Sequence, residues 1–338
     1  MVKCSVLIMS LVAFGLLVSP ACAAEPTANF LTESMAMSQR SDAASTAPSI
    51  GSTTKGAQES QVSEWTKPIP LSFSMSYMLM SDYIWRGINL SEYPHEGREK
   101  ANNQMYINVE YDLKPFGAVG ANFFFEFFEA QPKLTPWSDT HLQEIDYNPY
   151  WKYPVAPIDM TFETGWIAYS FPPYSKSGSP DHSLQYTNEW YVKFSFDDSK
   201  WFSQPKPVLS PYFALYQDVG LTGGALWAEL GVSHAFDLKD SPKLATSPIL
   251  KNVSITPSAV LGAQHDFYHG LGLVDHDTTK LANINWVLDI SYNLSEALNL
   301  PPSAGKFTVG PYLGYSQPLD RQALNDEFYG GLKVSFSW

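Results

Sequence analysis

The chain has 338 residues, a formal net charge of −13 and an aromatic content of 14%. That acidity excludes a nucleic-acid binder, which needs a basic face. The only two cysteines, Cys4 and Cys22, stand near the N-terminus, so the rest of the chain has no disulfide framework, thiolate metal site or thiol nucleophile. In chain order, Lys3, the apolar run Val6 to Val18 and the small residues Ala21-Cys22-Ala23 before Ala24 predict a secretory signal peptide over 1–23. The apolar run is shorter than the roughly 20 residues a spanning helix needs. Acylation of Cys22 as a lipoprotein is the alternative, although Ser19 stands where that signal wants Leu. Residues 24–66 are rich in Ser, Thr and Ala and poor in aromatics. They lack the apolar surface to offset the entropy of ordering and predict a disordered tail.

Residues 67–338 predict one all-β domain. Segments of about ten residues alternate apolar and polar and are separated by turn chemistry. Twelve are expected, over 71–82, 101–112, 117–128, 141–153, 158–171, 184–196, 207–217, 224–236, 251–264, 280–294, 306–316 and 326–338. In the last, Phe328, Leu332, Val334, Phe336 and Trp338 share one face, while Tyr329, Lys333 and Ser335 share the other. Ala282, Ile284, Trp286, Leu288 and Ile290 alternate in the same way with Asn283, Asn285, Val287 and Asp289. A period of two held this long does not fit a helix.

Alternation alone fits a soluble β-sandwich as well as a barrel in lipid. The aromatic load, with 19 Tyr, 20 Phe and 10 Trp, suits the girdles of a membrane interface, with carbohydrate-binding aromatics as the plain alternative. Mid-strand charges, including Glu110, Glu126, Glu144, Glu163, Glu189, Glu229 and Asp289, must point inward if the apolar face meets lipid. A charge on the lipid face costs about 2–4 kcal/mol for Lys or Arg at the midplane. Together with the leader, these features predict a transmembrane antiparallel up-and-down β-barrel of about 12 strands, exported to the outer membrane.

Two resemblances sharpen this. The ending GGLKVSFSW, with Phe336 and the final Trp338, resembles the C-terminal strand of bacterial outer-membrane barrels, which implies recognition by the barrel-assembly machinery and periplasmic chaperones. The run SYMLMSDYIWRGINLSE from residue 76 resembles the first strand of the TorF-like porin family (Gcw_chp type), whose pattern is matched by Ser81, Asp82, Tyr83, Arg86, Gly87 and Ile88. Glu144, Gly165, Tyr169, Glu189 and Tyr191 extend the likeness loosely. The long N-terminal tail and Trp-rich strands depart from it. The family resemblance implies a porin-like barrel and brings no substrate.

Candidate functional residues follow from parity. Asp82 and Arg86 share a strand face and are expected to form a luminal ion pair, either architectural at the mouth or selecting solutes. Glu126, Glu144, Glu163, Glu189 and Glu229 come from separate strands and are expected to converge inside. There they either attract cations or pair with Arg86, Lys152 and Lys193. His265, Asp266, His269, Asp275, His276 and Asp277 share one loop and are either a divalent-cation set or solvated loop residues. His182-Ser183 lacks a nucleophile elbow around it. No cofactor is expected. The reading that follows is an outer-membrane, porin-like channel for passive diffusion of small solutes, with a cation preference set by its carboxylates. The alternatives are a non-conducting barrel with a surface or envelope binding role, and a lipid-facing hydrolase.

Overall fold

A computed structural model describes residues 70–91, 101–128, 142–170 and 186–338. The expectations for 1–23, for 24–66 and for His182-Ser183 lie outside these residues. Twelve long strands form one sheet: β1 Leu71–Met80, β2 Asn102–Asp112, β3 Ala118–Phe128, β4 Leu142–Val155, β5 Met160–Ser170, β6 Tyr186–Phe196, β7 Tyr212–Asp218, β8 Leu226–Ser233, β9 Val253–His265, β10 Thr279–Asn293, β11 Lys306–Pro318 and β12 Glu327–Ser337. Each pairs antiparallel with its sequence neighbours, and β1 also pairs with β12, so the sheet closes without an edge. The backbone N–H and C=O of Phe73 both bond to Trp338, which extends the seam to the last residue.

The two faces of the sheet answer the question that alternation left open. On β1, Met75, Tyr77 and Leu79 are exposed while Met78 and Met80 are buried. On β12, Phe328 is 72% exposed and Leu332 and Val334 are exposed, whereas Tyr329 and Lys333 are buried. Tyr147, Trp151, Trp166, Phe213, Leu230 and Leu313 continue the apolar exterior. The buried set includes Asn102, Gln104, Glu126, Glu144, Asn148 and Ser316. A water-soluble protein distributes these residue types the other way round. A continuous apolar exterior around a polar, charged interior is the arrangement of a barrel that spans a membrane.

Parity breaks at two places where the alternation predicted none: Glu126 pairs with Glu144 but Phe127 with Leu142, which leaves Gln143 as an extra residue in β4, and a second shift lies between β9 and β10. Ala263 pairs with Leu281 and Gly262 with Asn283, so a bulge inserts Ala282 into β10. Leu281 points out, and Ala282 joins Asn283 among the buried residues. Ala282 therefore belongs to the interior and not to the face of Trp286, because a bulge adds one residue and resets the period.

Inside, cross-strand glycines make room for tyrosines. Gly165 faces Tyr191, Gly231 faces Tyr212 and Gly314 faces Tyr329. A Cβ at Gly231 or Gly314 would stand 2.0 or 2.1 Å from the tyrosine ring. Each ring lies across the backbone of the neighbouring strand, in the space that a side chain at the glycine would take. At the rim where β1 begins and β12 ends, the connections 113–117 and 156–159 are tight turns. The longer 197–211 is held by Asp198, fully buried, which accepts hydrogen bonds from the backbone N–H groups of Val208, Leu209 and Ser210.

Candidate functional site

β1 ends at Met80 rather than continuing through Asp82. The chain then folds inward, and every residue from Asp82 to Ser91 is buried. Ile84–Trp85 and Ile88–Asn89 pair as a miniature hairpin. Its turn is Arg86-Gly87, with φ of 48° and 83°. Two successive positive φ values are what a tight hairpin turn matching strand twist requires, and glycine supplies one of them without strain. The base is closed by the Leu90 N–H to Tyr83 C=O bond and by Ser91 Oγ, which accepts from the Tyr83 N–H.

The hairpin touches the wall on all sides, which places it within the lumen. Asn102 on β2 donates to Ser91 Oγ. Tyr83 packs against Phe124 on β3. A Cβ at Gly87 would meet Asn283 on β10 and Leu324 from the β11–β12 connection. At the tip, Arg86 Nη1 and Nη2 donate to Glu189 Oε1 and Oε2 on β6 at 2.6 and 2.8 Å. The rings of Trp85, Tyr216, Trp227 and Phe267 surround the guanidinium with centroids 4.6–5.2 Å away. Burial opposes charge on Arg86, but the Glu189 carboxylate holds the guanidinium protonated above its ordinary range. The Tyr169 hydroxyl donates to Glu189 Oε2, and the Tyr268 hydroxyl donates to the Arg86 C=O. Burial pushes the Tyr268 hydroxyl well above its usual range, which keeps it a donor. A two-pronged arginine–carboxylate pair in a water-poor site is strong and directional.

The predicted Asp82–Arg86 pair is therefore corrected. Arg86 is bidentate to Glu189, and Asp82 instead accepts from Asn89 Nδ2 at 3.3 Å. Shared strand parity does not apply, because the strand stops before either residue and the turn reverses the chain between them.

The other predicted residues line the interior but do not gather into one constellation. Glu163 accepts from the Tyr191 hydroxyl at 2.6 Å and lies 3.6 Å from Lys152, which also bridges Glu110 at 2.9 Å. Glu229 accepts from Trp227 Nε1 at 3.0 Å. Glu126 and Glu144 are directly opposed across β3 and β4, both fully buried. Neither carboxylate oxygen of Glu126 has a hydrogen-bond partner among the described residues. Asp146 and the Tyr83 hydroxyl lie against Glu144. Burial, with the Glu144 and Asp146 charges adding to it, pushes the Tyr83 hydroxyl well above its ordinary range.

Sequence reading missed Asp146, although it shares parity with Glu144. It also missed Trp227, Phe267 and Tyr268, whose aromatic type carried no positional signal, and it named Tyr169 only as part of the family resemblance. In the 265–278 loop, Phe267, Tyr268 and Leu271 pack inward, while His269 Nδ1 lies 2.6 Å from Asp277 and His265 Nε2 lies 3.5 Å from Asp266. Among the described residues, no group of three or more His, Cys, Asp or Glu side chains is arranged to hold a metal ion. A cavity of ≈ 10 Å³ lies beside the hairpin, lined by Met78, Met80, Asp82, Tyr83, Ile84, Gln104, Tyr106, Tyr312 and Tyr329.

Comparison with known proteins gives likeness of fold alone. No family model matches the chain, and no curated protein matches it in sequence. Among solved structures, the COG4313 outer membrane channel from Pseudomonas putida F1 is similar at a TM-score of 0.42 and 10% identity, over 83% of this chain and 100% of that one. OmpF from Salmonella typhi is similar at 0.32 and 6%, over 79% and 97%. LpxR from Salmonella typhimurium is similar at 0.36 and 9%, over 78% and 99%.

Proposed function

We propose that the chain is an outer-membrane, porin-like channel for passive passage of small solutes, with a preference for cations. One observation carries the reading. The polar interior holds Glu110, Glu126, Glu144, Asp146, Glu163, Glu189, Glu229 and Asp289 against Lys152, Lys193, Lys333 and the hairpin's Arg86. An acidic lumen concentrates cations and repels anions. The C-terminal strand ending on Phe336 and Trp338 supports delivery by periplasmic chaperones and insertion by barrel-assembly machinery.

Conductance of the refolded protein in planar bilayers tests the channel, and the reversal potential in a potassium chloride gradient tests the preference. Bilayers that stay closed at all voltages would refute passage. An anion-selective potential would refute the charge argument while leaving the channel standing.

A second reading, a non-conducting barrel whose outer loops bind at the surface or organise the envelope, is favoured by the filling of the lumen by the 82–91 hairpin and by Phe267, Tyr268 and Leu271. The same bilayer experiment separates the two.

A further inference from the structure

We propose that the hairpin from Tyr83 to Leu90 is the gate of this channel and that the Arg86–Glu189 pair is its latch. This rests on the channel reading above and adds how passage is regulated.

The hairpin meets the wall unequally on its two sides. Toward β6, β7 and β8 its tip is held by the fork to Glu189 and by the rings around Arg86. Toward β1, β2, β11 and β12 it borders the ≈ 10 Å³ cavity and is tied by bonds from amide donors, Asn89 Nδ2 to Glu327 Oε2 on β12 at 3.2 Å and Asn102 Nδ2 to Ser91 Oγ on β2 at 2.9 Å. The cavity has room for about one water and too little for a hydrated ion, so passage along that side requires the hairpin to shift. Met78 and Met80 form part of the cavity wall, and unbranched thioethers repack more readily than branched side chains.

The latch suits a two-state element. A fork of two charge-assisted hydrogen bonds has a narrow geometric optimum, so it is either made or broken and does not stretch continuously. The hairpin carries its own hydrogen bonds, Leu90 N–H to Tyr83 C=O and Tyr83 N–H to Ser91 Oγ. It can therefore move as a unit that keeps these bonds, while the Arg86 C=O gives up its Tyr268 partner. Tyr169 on Glu189 and Tyr268 on the Arg86 C=O are secondary ties on the same side.

The test is single-channel recording of the refolded full chain beside Glu189→Gln and the double variant Arg86→Met/Glu189→Gln. The double variant leaves no unpaired buried charge if the single one fails to fold. Arg321→Gln, a change at an exposed rim residue, is the control. Heat-modifiable migration on gels establishes that each barrel is folded. The expected result is rare, brief openings in the wild type and in Arg321→Gln, and an open fraction at least about tenfold higher in the latch variants, as loss of two charge-assisted bonds implies. A wild type that stays closed while the latch variants conduct also supports the gate. Folded latch variants that open as the wild type does overturn the gate and leave the channel standing. Closed bilayers for every variant overturn both. Amide hydrogen exchange at Leu90 gives a readout independent of conduction: faster exchange in the latch variants supports the gate, and unchanged exchange in a folded variant overturns it.

Discussion

Arg86 and Glu189 stand 103 residues apart in sequence and meet in a two-pronged bond inside the barrel, their side chains 4% and 1% exposed. Removing one partner leaves the other charge buried. Arg86→Ala is therefore expected to destabilise the refolded protein by about 3–5 kcal/mol, measured by urea unfolding in detergent. Arg86→Lys, which keeps the charge but loses the fork, is expected to recover only part of this. Full recovery by lysine would show that the fork geometry does not matter.

The glycine–tyrosine pairs give a test of packing. Gly314→Ala places a methyl against the Tyr329 ring and is expected to cost about 1–3 kcal/mol by overpacking. Combined with Tyr329→Ala, the glycine change is expected to cost less than it does alone. Strictly additive unfolding energies in this cycle would mean that the ring is not the obstacle.

Selectivity is expected to follow the luminal carboxylates. Glu163→Gln and Glu229→Gln each remove an inward negative charge, and their combination is expected to move the reversal potential in a salt gradient toward zero more than either alone. An unchanged potential in the folded double variant would place the filter elsewhere.

Trp338 closes the seam through its backbone, and its ring is proposed to act in assembly. Its backbone N–H and C=O both bond Phe73, which closes the seam, and a side-chain change leaves those bonds intact. Trp338→Ala is expected to refold in detergent near the wild-type yield while inserting poorly in cells. Deletion of Trp338 is expected to impair both, because the backbone pair goes with it. Equal insertion of Trp338→Ala and wild type in cells would argue against a role for the terminal ring in assembly.

At the opposite rim, a hydrogen bond from the Tyr315 hydroxyl at 2.6 Å and one from Arg321 at 2.8 Å hold the Asp326 carboxyl below its ordinary value of 3.8. The folded pKa lies below the unfolded one, so the stabilisation is complete above about pH 3.8 and is lost as pH falls through the lower, folded value. The group is exposed and the effect is small. Protection of amides in the 319–326 connection, corrected for the intrinsic pH dependence of exchange, is expected to fall in acid over that range in the wild type and to stay flat in Asp326→Asn.

The order of the strands, their number and most of their inward and outward faces were legible in the sequence. A period of two is a local property, and in an up-and-down barrel each strand pairs with its chain neighbour, so local pattern and global topology agree. Lys333 facing in and Leu332 facing out follow from parity alone. Ala282 does not, because a bulge depends on how two strands fit together and leaves no periodic mark. The apolar side could be read, but only the closed sheet decided that it faces outward, around a polar interior. The largest difference lies at SDYIWRG. Its residue types announced a special segment, yet the partner of Arg86 is on β6, and the cage around it is assembled from the hairpin itself, β7, β8 and the 265–278 loop. Those contacts join residues far apart in the chain, and only closure of the barrel brings them within reach.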